Sequence, residues 1–538
     1  MEKLPSLNQK LKEYLECDSR IILMKNGVAS DFSKPDLKKR ILLARRTFEQ
    51  NGLKQGDLAI FQINGSSKKA LLSSFFALVS MGVAPVFLSA VRSKDHIHRL
   101  VNVAKSNPEA KIIADEETNE FVKLFWPDCD VSRMIVVPEE VSDYPLDLPS
   151  EIDYVDVDPE SLALVIYSSG STSDPKGIKM THEKFTKMVL HLNMAAKSTS
   201  EDTWVQWLPL EHAFGLVSLI IFPMFFKSGV VHMNPADFIQ NPKSWFDVID
   251  KTRATMTAGP NFAYPLVMKF LDGSEKWDLS CLKCIFNGGE PISKIVFDKF
   301  TQTMAKFGMS EKVMIPLYGL TEAGGVVTLN MDFEYPELDA DKITSGIDFD
   351  VKVLKKNIKD VACQGRNIPG MQMRICDDNN QVLPDNTIGS IQVYSDYMSV
   401  GYLNRAADDF LPDGWLDSGD LGFISNNLLY VVGRKKDMFF IHGKNVYLRD
   451  VEQVVTAKFG FRCAACGVND SVNSKNDIYL FVESAEPEKV DTKSIKNHVF
   501  SEMGLRLNEV IPLSKLVLTG TGKIAKEKLL ANYKEGKL

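Results

Sequence analysis

The chain has 538 residues, a net charge of −7, 44% hydrophobic residues and 25% charged ones. That length is too great for one hydrophobic core, so two or more domains are expected, with the composition of an ordinary globular protein. Basic residues are scattered rather than clustered, which argues against nucleic acid as the main partner, since displacing its counterions takes a positive stripe.

The N-terminal MEKLPSLNQKLKEYLE alternates charged and apolar residues without a continuous apolar stretch, so no secretion signal is read there and the cytoplasm is the expected compartment. KKRILLARRTFEQNG (38–52) then has the periodicity of an amphipathic helix, and DLAIFQI (57–63) that of a buried strand. The most membrane-like stretch, Leu71 to Val91, is broken by Ser73, Ser74, Ser80, Gly82, Pro85 and Ser89. A spanning helix needs about 20 mainly apolar residues. The stretch is read instead as a buried helix, a turn at Met81-Gly82 and a buried strand, and no membrane span is expected.

Helix–strand alternation continues through VQWLPL, GVVHMN, ATMTAGP and KCIFNGGE, the wording of an α/β domain. Over 361–432, RICDD, GSIQVYS and LGFISNNLLYVVG read as short strands separated by Gly, Asn, Asp and Pro, which marks a small β-rich subdomain. The polar run Gly433-Arg-Lys-Lys-Asp437 suits a hinge. The expected fold is α/β multidomain: a large N-terminal portion of α/β layers over 1–433, and a smaller mobile α+β domain over 434–538. The pairs Cys281/Cys284 and Cys463/Cys466 have zinc-like spacing. However, CLKCIF reads as a strand, where residues three apart point to opposite faces, and FRCAACGV is strand-like too. Both pairs are taken as small buried residues, not metal ligands.

The most informative segment is Tyr167-Ser-Ser-Gly-Ser-Thr-Ser-Asp-Pro-Lys-Gly177, between the apolar strand SLALVI and a helix expected to begin near Thr181. Small residues let backbone N–H groups and hydroxyls approach a phosphate closely, and Lys176 adds a positive charge. Taken alone, it reads more readily as an ordinary Ser/Gly-rich surface loop. Its spacing does not fit G-x-x-x-x-G-K-[ST], which disfavours a Walker-type nucleotide fold.

The segment resembles the phosphate loop of the adenylate-forming superfamily: acyl-CoA synthetases, peptide-synthetase adenylation domains and luciferases. Further motifs similar to that family's follow in its order. They are Trp207-Leu-Pro-Leu-Glu-His-Ala-Phe-Gly215, Asn287-Gly-Gly-Glu-Pro291, Tyr318-Gly-Leu-Thr-Glu322, Trp415-Leu-Asp-Ser-Gly-Asp420, Gly433-Arg434 and Gly520-Thr-Gly-Lys-Ile524. The resemblance spans nearly the whole chain. It implies ATP and Mg²⁺ as cofactors. Nucleotide contacts are implied for Ser168, Ser169, Gly170, Ser171, Thr172, Lys176, Gly288, Gly289, Glu290, Tyr318, Gly319, Thr321, Asp420 and Arg434. It further implies Glu322 as the Mg²⁺ ligand, Lys523 and His212 as catalytic residues, and Lys436 as the hinge. His212, Phe214, Asn261 and Asn287 are placed around the acid.

Each implied role has a physical basis. A hard carboxylate oxygen at Glu322 is the ligand type Mg²⁺ demands. Asp420 can accept from both ribose hydroxyls, and Arg434 offers a permanently charged fork of donors. Tyr318 can stack on adenine, Gly288 and Gly289 permit close backbone approach, and Lys523 can bridge the α-phosphate and the carboxylate. His212 follows an apolar strand and reads alternatively as an interior histidine. Ser173 departs from the family's usual glycine.

Several stretches look more like fatty acyl-AMP ligases than CoA ligases: Pro260-Asn-Phe-Ala-Tyr264, Phe286-Asn-Gly-Gly-Glu-Pro291 and Ile441-His-Gly-Lys-Asn-Val-Tyr-Leu-Arg-Asp-Val-Glu452. Leu448 replaces the usual proline of that last motif. The region from Glu322 to Gly370 is longer than CoA-forming relatives typically need, and DADKITSGIDFDVKVLKKNIKD within it alternates as extra strands would. Such an insertion is associated in acyl-AMP ligases with an acyl or peptidyl carrier protein as acceptor. Three functions follow as expectations: an acyl-AMP ligase loading a carrier's phosphopantetheine thiol, an acyl- or aryl-CoA ligase, and a catalytically silent nucleotide-binding protein. A fatty or aryl acid is favoured over an amino acid, because Phe214-Gly-Leu-Val-Ser-Leu-Ile-Ile-Phe-Pro223 has no acidic residue to pair an amine.

Overall fold

Two sheets with helices between them and on their outer faces make up most of the chain. The computed structural model describes residues 4–91, 94–167, 176–210, 212–348, 351, 354–355, 358–406, 409–435, 438–441, 444–470, 475–518 and 524–538. The six-stranded sheet runs in the order Met134–Val136, Lys111–Ala114, Leu58–Gln62, Ala84–Phe87, Leu162–Tyr167, Gly177–Thr181, parallel except for the last pair. In the nine-stranded sheet, Met314–Tyr318, Cys284–Asn287, Met256–Gly259, Thr203–Gln206, Gly229–His232 and Ile21–Lys25 are successive parallel neighbours. Thr328–Leu329 with Arg366–Asn367, and Val28–Asp31, close its two edges antiparallel. Parallel strands buried on both faces read as near-continuous apolar runs, which is why these segments were legible.

The largest core lies between the sheets, where Phe87 and Ile166 of one meet Trp204, Phe286 and Leu317 of the other through the helices Lys34–Gln50, Lys68–Met81 and His182–Ala196. Lys34–Gln50 is started by Ser33, whose hydroxyl accepts from Asp36 N, and it buries Leu37, Ile41, Ala44 and Phe48 along one face. Lys68–Met81 is buried throughout, ends at Gly82 and leads into Ala84–Phe87, the helix–turn–strand expected for 71–91. No helix among the described residues is long and apolar enough to cross a membrane.

The helix expected near Thr181 starts at His182, capped by Thr181, and is preceded by a strand, Gly177–Thr181, that pairs back antiparallel on Leu162–Tyr167. Two expectations need correction. Of the described part of 339–360, only Thr344–Ser345 is a strand, the rest being short turns. Its alternation instead places Ile343, Leu354 and Ile358 in a core with Ile388, Leu421 and Phe423. Finally, Cys281 sits in the turn before the strand Cys284–Asn287, not within it. Cys463 and Cys466, on Arg462–Asp470, do face opposite cores. No metal-holding cluster of His, Cys, Asp or Glu occurs among the described residues.

Within 361–432, Arg366–Asn367 joins the nine-stranded sheet, whereas Gln372–Cys376, Thr387–Tyr394, Leu416–Ser425 and Leu428–Arg434 form a separate sheet with Thr344–Ser345. Beyond it lie the hairpin Met438–Ile441/Lys444–Tyr447 and a three-stranded sheet of Arg462–Asp470, Lys475–Glu483 and Glu509–Leu513. The helix Leu448–Phe459 touches the N-terminal portion through Gln453 Nε2, which donates to Asp360 Oδ2 at 3.1 Å.

Candidate active site

In open parallel sheets, ligand sites gather beyond the carboxyl ends of the strands. Here Gly259, Asn287 and Pro316 are in register across three neighbouring strands. The segments that leave these ends, Pro260–Asn261, Gly288–Glu290 and Gly319–Glu322, therefore emerge side by side, next to the 207–215 motif that follows Thr203–Gln206.

Close packing fixes these turns. A Cβ on Gly319 would lie 1.9 Å from the Gly325 carbonyl oxygen, and one on Gly288 would lie 2.3 Å from Leu317 Cδ1. No side chain fits at either position without movement. Thr321 opens the short turn Thr321–Ala323, which carries Glu322. The Glu290 carboxylate accepts from Phe262 N, tying two of the turns together.

A small, open cavity lies among Leu208, Pro209, His212, Phe214, Pro260, Gly288 and Gly289. His212 caps the helix Ala213–Leu216, its Nδ1 accepting from Phe214 N at 3.2 Å. An imidazole whose Nδ1 accepts carries its proton on Nε2 when neutral, so Nε2 is a donor. Asn261 and Asn287, expected around the acid, are not among the lining residues. Asn287 is fully buried, and its Nδ2 donates to Asn261 Oδ1 at 3.4 Å, so the pair braces the wall from behind.

The adenine-type and ribose-type motifs meet directly. Tyr318 Oη donates to Asp420 Oδ2 at 2.8 Å, and Arg434 Nε lies 3.1 Å from Asp420 Oδ1. Asp420 and Arg434 are register partners on Leu416–Ser425 and Leu428–Arg434. Burial, then the neighbouring Asp420 charge, push the Tyr318 phenol well above its ordinary pKa, so it stays a donor. Sequence reasoning gave Tyr318 an aromatic role; the structure adds its hydroxyl as the link between the two motifs.

A second cluster surrounds Lys176. Its ammonium pairs with Asp409 and lies 4.9 Å from the Tyr402 ring centroid. Tyr402 Oη donates to Asp409 Oδ2 at 2.5 Å and reaches Glu322 Oε1 at 3.5 Å. Burial pushes the Glu322 carboxyl above its ordinary value. Burial also works to raise Asp409, but the Lys176 ammonium and Tyr402 hydroxyl together hold it below the usual carboxylate range. Residues 399–403 bring Tyr402 there: Ser399 N donates to Glu322 O, Lys179 N to Gly401 O and Leu403 N to Gly177 O. Sequence reasoning missed Tyr402 and Asp409. Their only signal was the short polar stretch leading to Trp415, and nothing in it points to Lys176.

Ser168, Ser169, Gly170, Ser171, Thr172, Lys436 and Lys523 lie outside the described residues. The residues flanking Lys523's segment, Leu518 and Ile524, pair antiparallel.

The model of the AMP-binding enzyme family matches residues 29–403, more than half of the chain. A putative ligase of Mycobacterium tuberculosis is 31% identical over 387 residues, 69% of this chain and 70% of its own. The medium-chain-fatty-acid–[acyl-carrier-protein] ligase JamA of Moorena producens is 27% identical, over 80% of this chain and 75% of its own. A structure from studies of fatty acyl-adenylate ligases of E. coli and L. pneumophila superposes with a TM-score of 0.82 at 22% identity, covering 99% of this chain and 98% of that one, and shows the shared fold. The chain belongs to the AMP-binding enzyme family and is an adenylate-forming ligase.

Proposed function

We propose that the chain activates a carboxylic acid as acyl-AMP and passes the acyl group to the phosphopantetheine thiol of an acyl or peptidyl carrier protein. In the first step a carboxylate oxygen attacks the α-phosphorus of ATP and pyrophosphate leaves. In the second the thiol attacks the acyl carbonyl, and AMP departs with the bonding electrons. The observation that carries this reading is the juxtaposition at one sheet edge of a cavity beside His212 with Lys176, Glu322, Asp420 and Arg434.

His212 donates from Nε2 and orients the acid, while its Nδ1 is engaged by the helix and does not act as a base. Asp420, Tyr318 and Arg434 take the ribose and its neighbouring phosphate, and Lys176 with Ser168, Ser169, Gly170, Ser171 and Thr172 takes the polyphosphate. Thr321, Gly319, Gly288, Gly289 and Glu290 shape the adenine-side wall. Lys523 bridges the acid and the α-phosphate as charge develops there. Glu322 fits Mg²⁺: it is a hard oxygen ligand whose burial disfavours its charge unless a cation compensates. When bound, the ion neutralises the polyphosphate charge.

The carrier as acceptor is supported by the likeness to a ligase named for that acceptor. Two measurements test the reading: ATP–pyrophosphate exchange across an acid panel, then mass detection of acyl groups on holo-carrier against CoA. Exchange followed by acyl transfer to CoA alone would replace the carrier with CoA; absence of exchange with every acid would leave only a nucleotide-binding protein.

A further inference from the structure

Lys176, Glu322 and Asp409 come from three segments far apart in the chain, and one side chain touches both carboxylates. Tyr402 Oη donates to Asp409 Oδ2 at 2.5 Å and lies 3.5 Å from Glu322 Oε1, while Asp409 pairs with the Lys176 ammonium. The ring is held independently of its hydroxyl. Tyr402 is 3% exposed, Lys176 sits 4.9 Å from its ring centroid, Phe410 meets it edge-on at 6.2 Å, and its backbone bridges Ile178 antiparallel. The chain on either side is fastened to both partners. Ser399 N donates to Glu322 O at 2.9 Å, and Leu403 N to the carbonyl of Gly177, next to Lys176, at 2.7 Å. Residues 399–403 therefore reach from the turn that carries Glu322 to the hairpin that carries Lys176, with Tyr402 between them.

A phenol has one proton to donate. The shorter contact shows that it goes to Asp409, which leaves the Glu322 oxygens to a cation and fixes the carboxylate that holds Lys176. A hydrogen bond to an ionised acceptor is stronger than a neutral one, so the hydroxyl locates Asp409 more firmly than packing of the ring alone would. The charges of Lys176 and Asp409 both act on Glu322, and a displacement of either is felt there. We propose that Tyr402 is a positioning residue for adenylation: its hydroxyl sets the spacing between Glu322 and, through Asp409, Lys176, so that the Mg²⁺ ligand and the lysine meet the same polyphosphate. This rests on the reading of Glu322 and Lys176 as ligands of Mg²⁺ and polyphosphate, but not on the identity of the acid or the acceptor.

The test is calorimetric binding of ATP, without acid so that no turnover occurs, in Mg²⁺ and in EDTA. It compares the native chain with Tyr402→Phe, Glu322→Gln and the double variant. Phenylalanine keeps the ring and its packing and removes the hydroxyl alone. Tyr402→Phe should weaken binding in Mg²⁺ by roughly tenfold, and binding in EDTA by no more than about threefold, the share carried by Lys176 alone. It should add little in the Glu322→Gln background, since residues that act through one ligand are not additive. In ATP–pyrophosphate exchange, its KM for MgATP should rise with KM for the acid unchanged. Equal weakening in Mg²⁺ and in EDTA, with or without a lowered melting temperature, would mean that the hydroxyl only holds residues 399–403 in place, and overturns the proposal. Unchanged binding, an additive double variant, or a Tyr402→Phe chain that does not fold overturns it too. A native chain that binds ATP no more tightly with Mg²⁺ than without overturns the metal reading of Glu322 and this inference with it. The expected binding pattern without exchange on any acid sinks the acid-activation reading and leaves this inference standing.

Discussion

The two large sheets share a construction, with parallel inner strands and helices on either face, yet their carboxyl edges are used differently. At the edge of the six-stranded sheet Asp115 gathers neighbouring donors. Asp115, just after Lys111–Ala114, accepts from Thr118 N at 2.9 Å, Asn64 N at 2.8 Å and Ser67 Oγ at 2.8 Å, and is 2% exposed. Strand Ala84–Phe87 simply runs on into buried Leu88 and Ala90. At the edge of the nine-stranded sheet, by contrast, polar groups reach segments far along the chain: Tyr318 meets Asp420, and Glu322 meets Tyr402. A locally closed edge yields stability, whereas an edge completed from a distance yields a site. The six-stranded sheet contributes to that site mainly through the hairpin that carries Lys176.

Predictions follow from this contrast. The largest effect is expected from the residue proposed to bridge the acid and the α-phosphate: Lys523→Ala should cut adenylate formation by roughly 10²-fold or more. Transfer from supplied acyl-AMP should suffer far less, since it needs no phosphate charge stabilisation; equal loss in both half-reactions would make Lys523 a structural residue. If, as proposed, the C-terminal domain moves between the two half-reactions, Lys436→Pro, fixing φ near roughly −65°, should leave the acyl-AMP burst in place while thioester formation collapses. Unimpaired transfer would remove Lys436 from the hinge.

A paired substitution compares the two edges directly. Gly319→Ala must displace the Gly325 carbonyl, at a cost of about 1–3 kcal/mol, and should lower both melting temperature and exchange rate because Glu322 follows three residues later. Asp115→Ala strands buried donors at a similar cost of about 1–3 kcal/mol, and should lower the melting temperature with KM values unchanged. A shift in KM for ATP in the second variant would erase the distinction. Asp409→Asn frees Lys176 from a partly exposed ion pair worth at most about 1 kcal/mol, so KM for ATP should rise by no more than roughly fivefold, with KM for the acid unaffected.

The smallest effect concerns the contact between the C-terminal helix Leu448–Phe459 and the rest. Asp450 borders a cavity shared with Ile292, Asp360 and Val431, and burial raises its pKa from 3.8 to about 7, against the favourable charge of Arg449. A carboxyl with a raised folded-state pKa destabilises as it ionises, so this contribution to stability is full below about pH 4 and is lost as pH rises towards and through 7. Melting followed from pH 5 to pH 8 should fall more in the native chain than in Asp450→Asn; parallel curves would show that Asp450 does not titrate in this range.

Local pattern carried much of this. The parallel strands were legible because burial on both faces leaves uninterrupted apolar runs such as LALVIY and CIFN. The glycines of the turns and the order of the motifs were legible for the same local reason. Alternation misled over 339–360, where it reports apolar residues packed from short turns, and the strand Gly177–Thr181 went unread because only five residues separate loop from helix.

By itself, then, the sequence determined the fold class, the family resemblance and the chemical character of each motif, since residue type, spacing and backbone freedom are local properties. Only the tertiary structure decided which motifs touch: that Tyr318 serves Asp420 through its hydroxyl, that Asp409 and Tyr402 hold Lys176, and that Asn287 pairs with Asn261 instead of lining the cavity. The reason is geometric. A parallel sheet brings segments up to about a hundred residues apart to one edge, and which of their side chains then meet depends on register and twist, quantities that no stretch of the chain encodes alone.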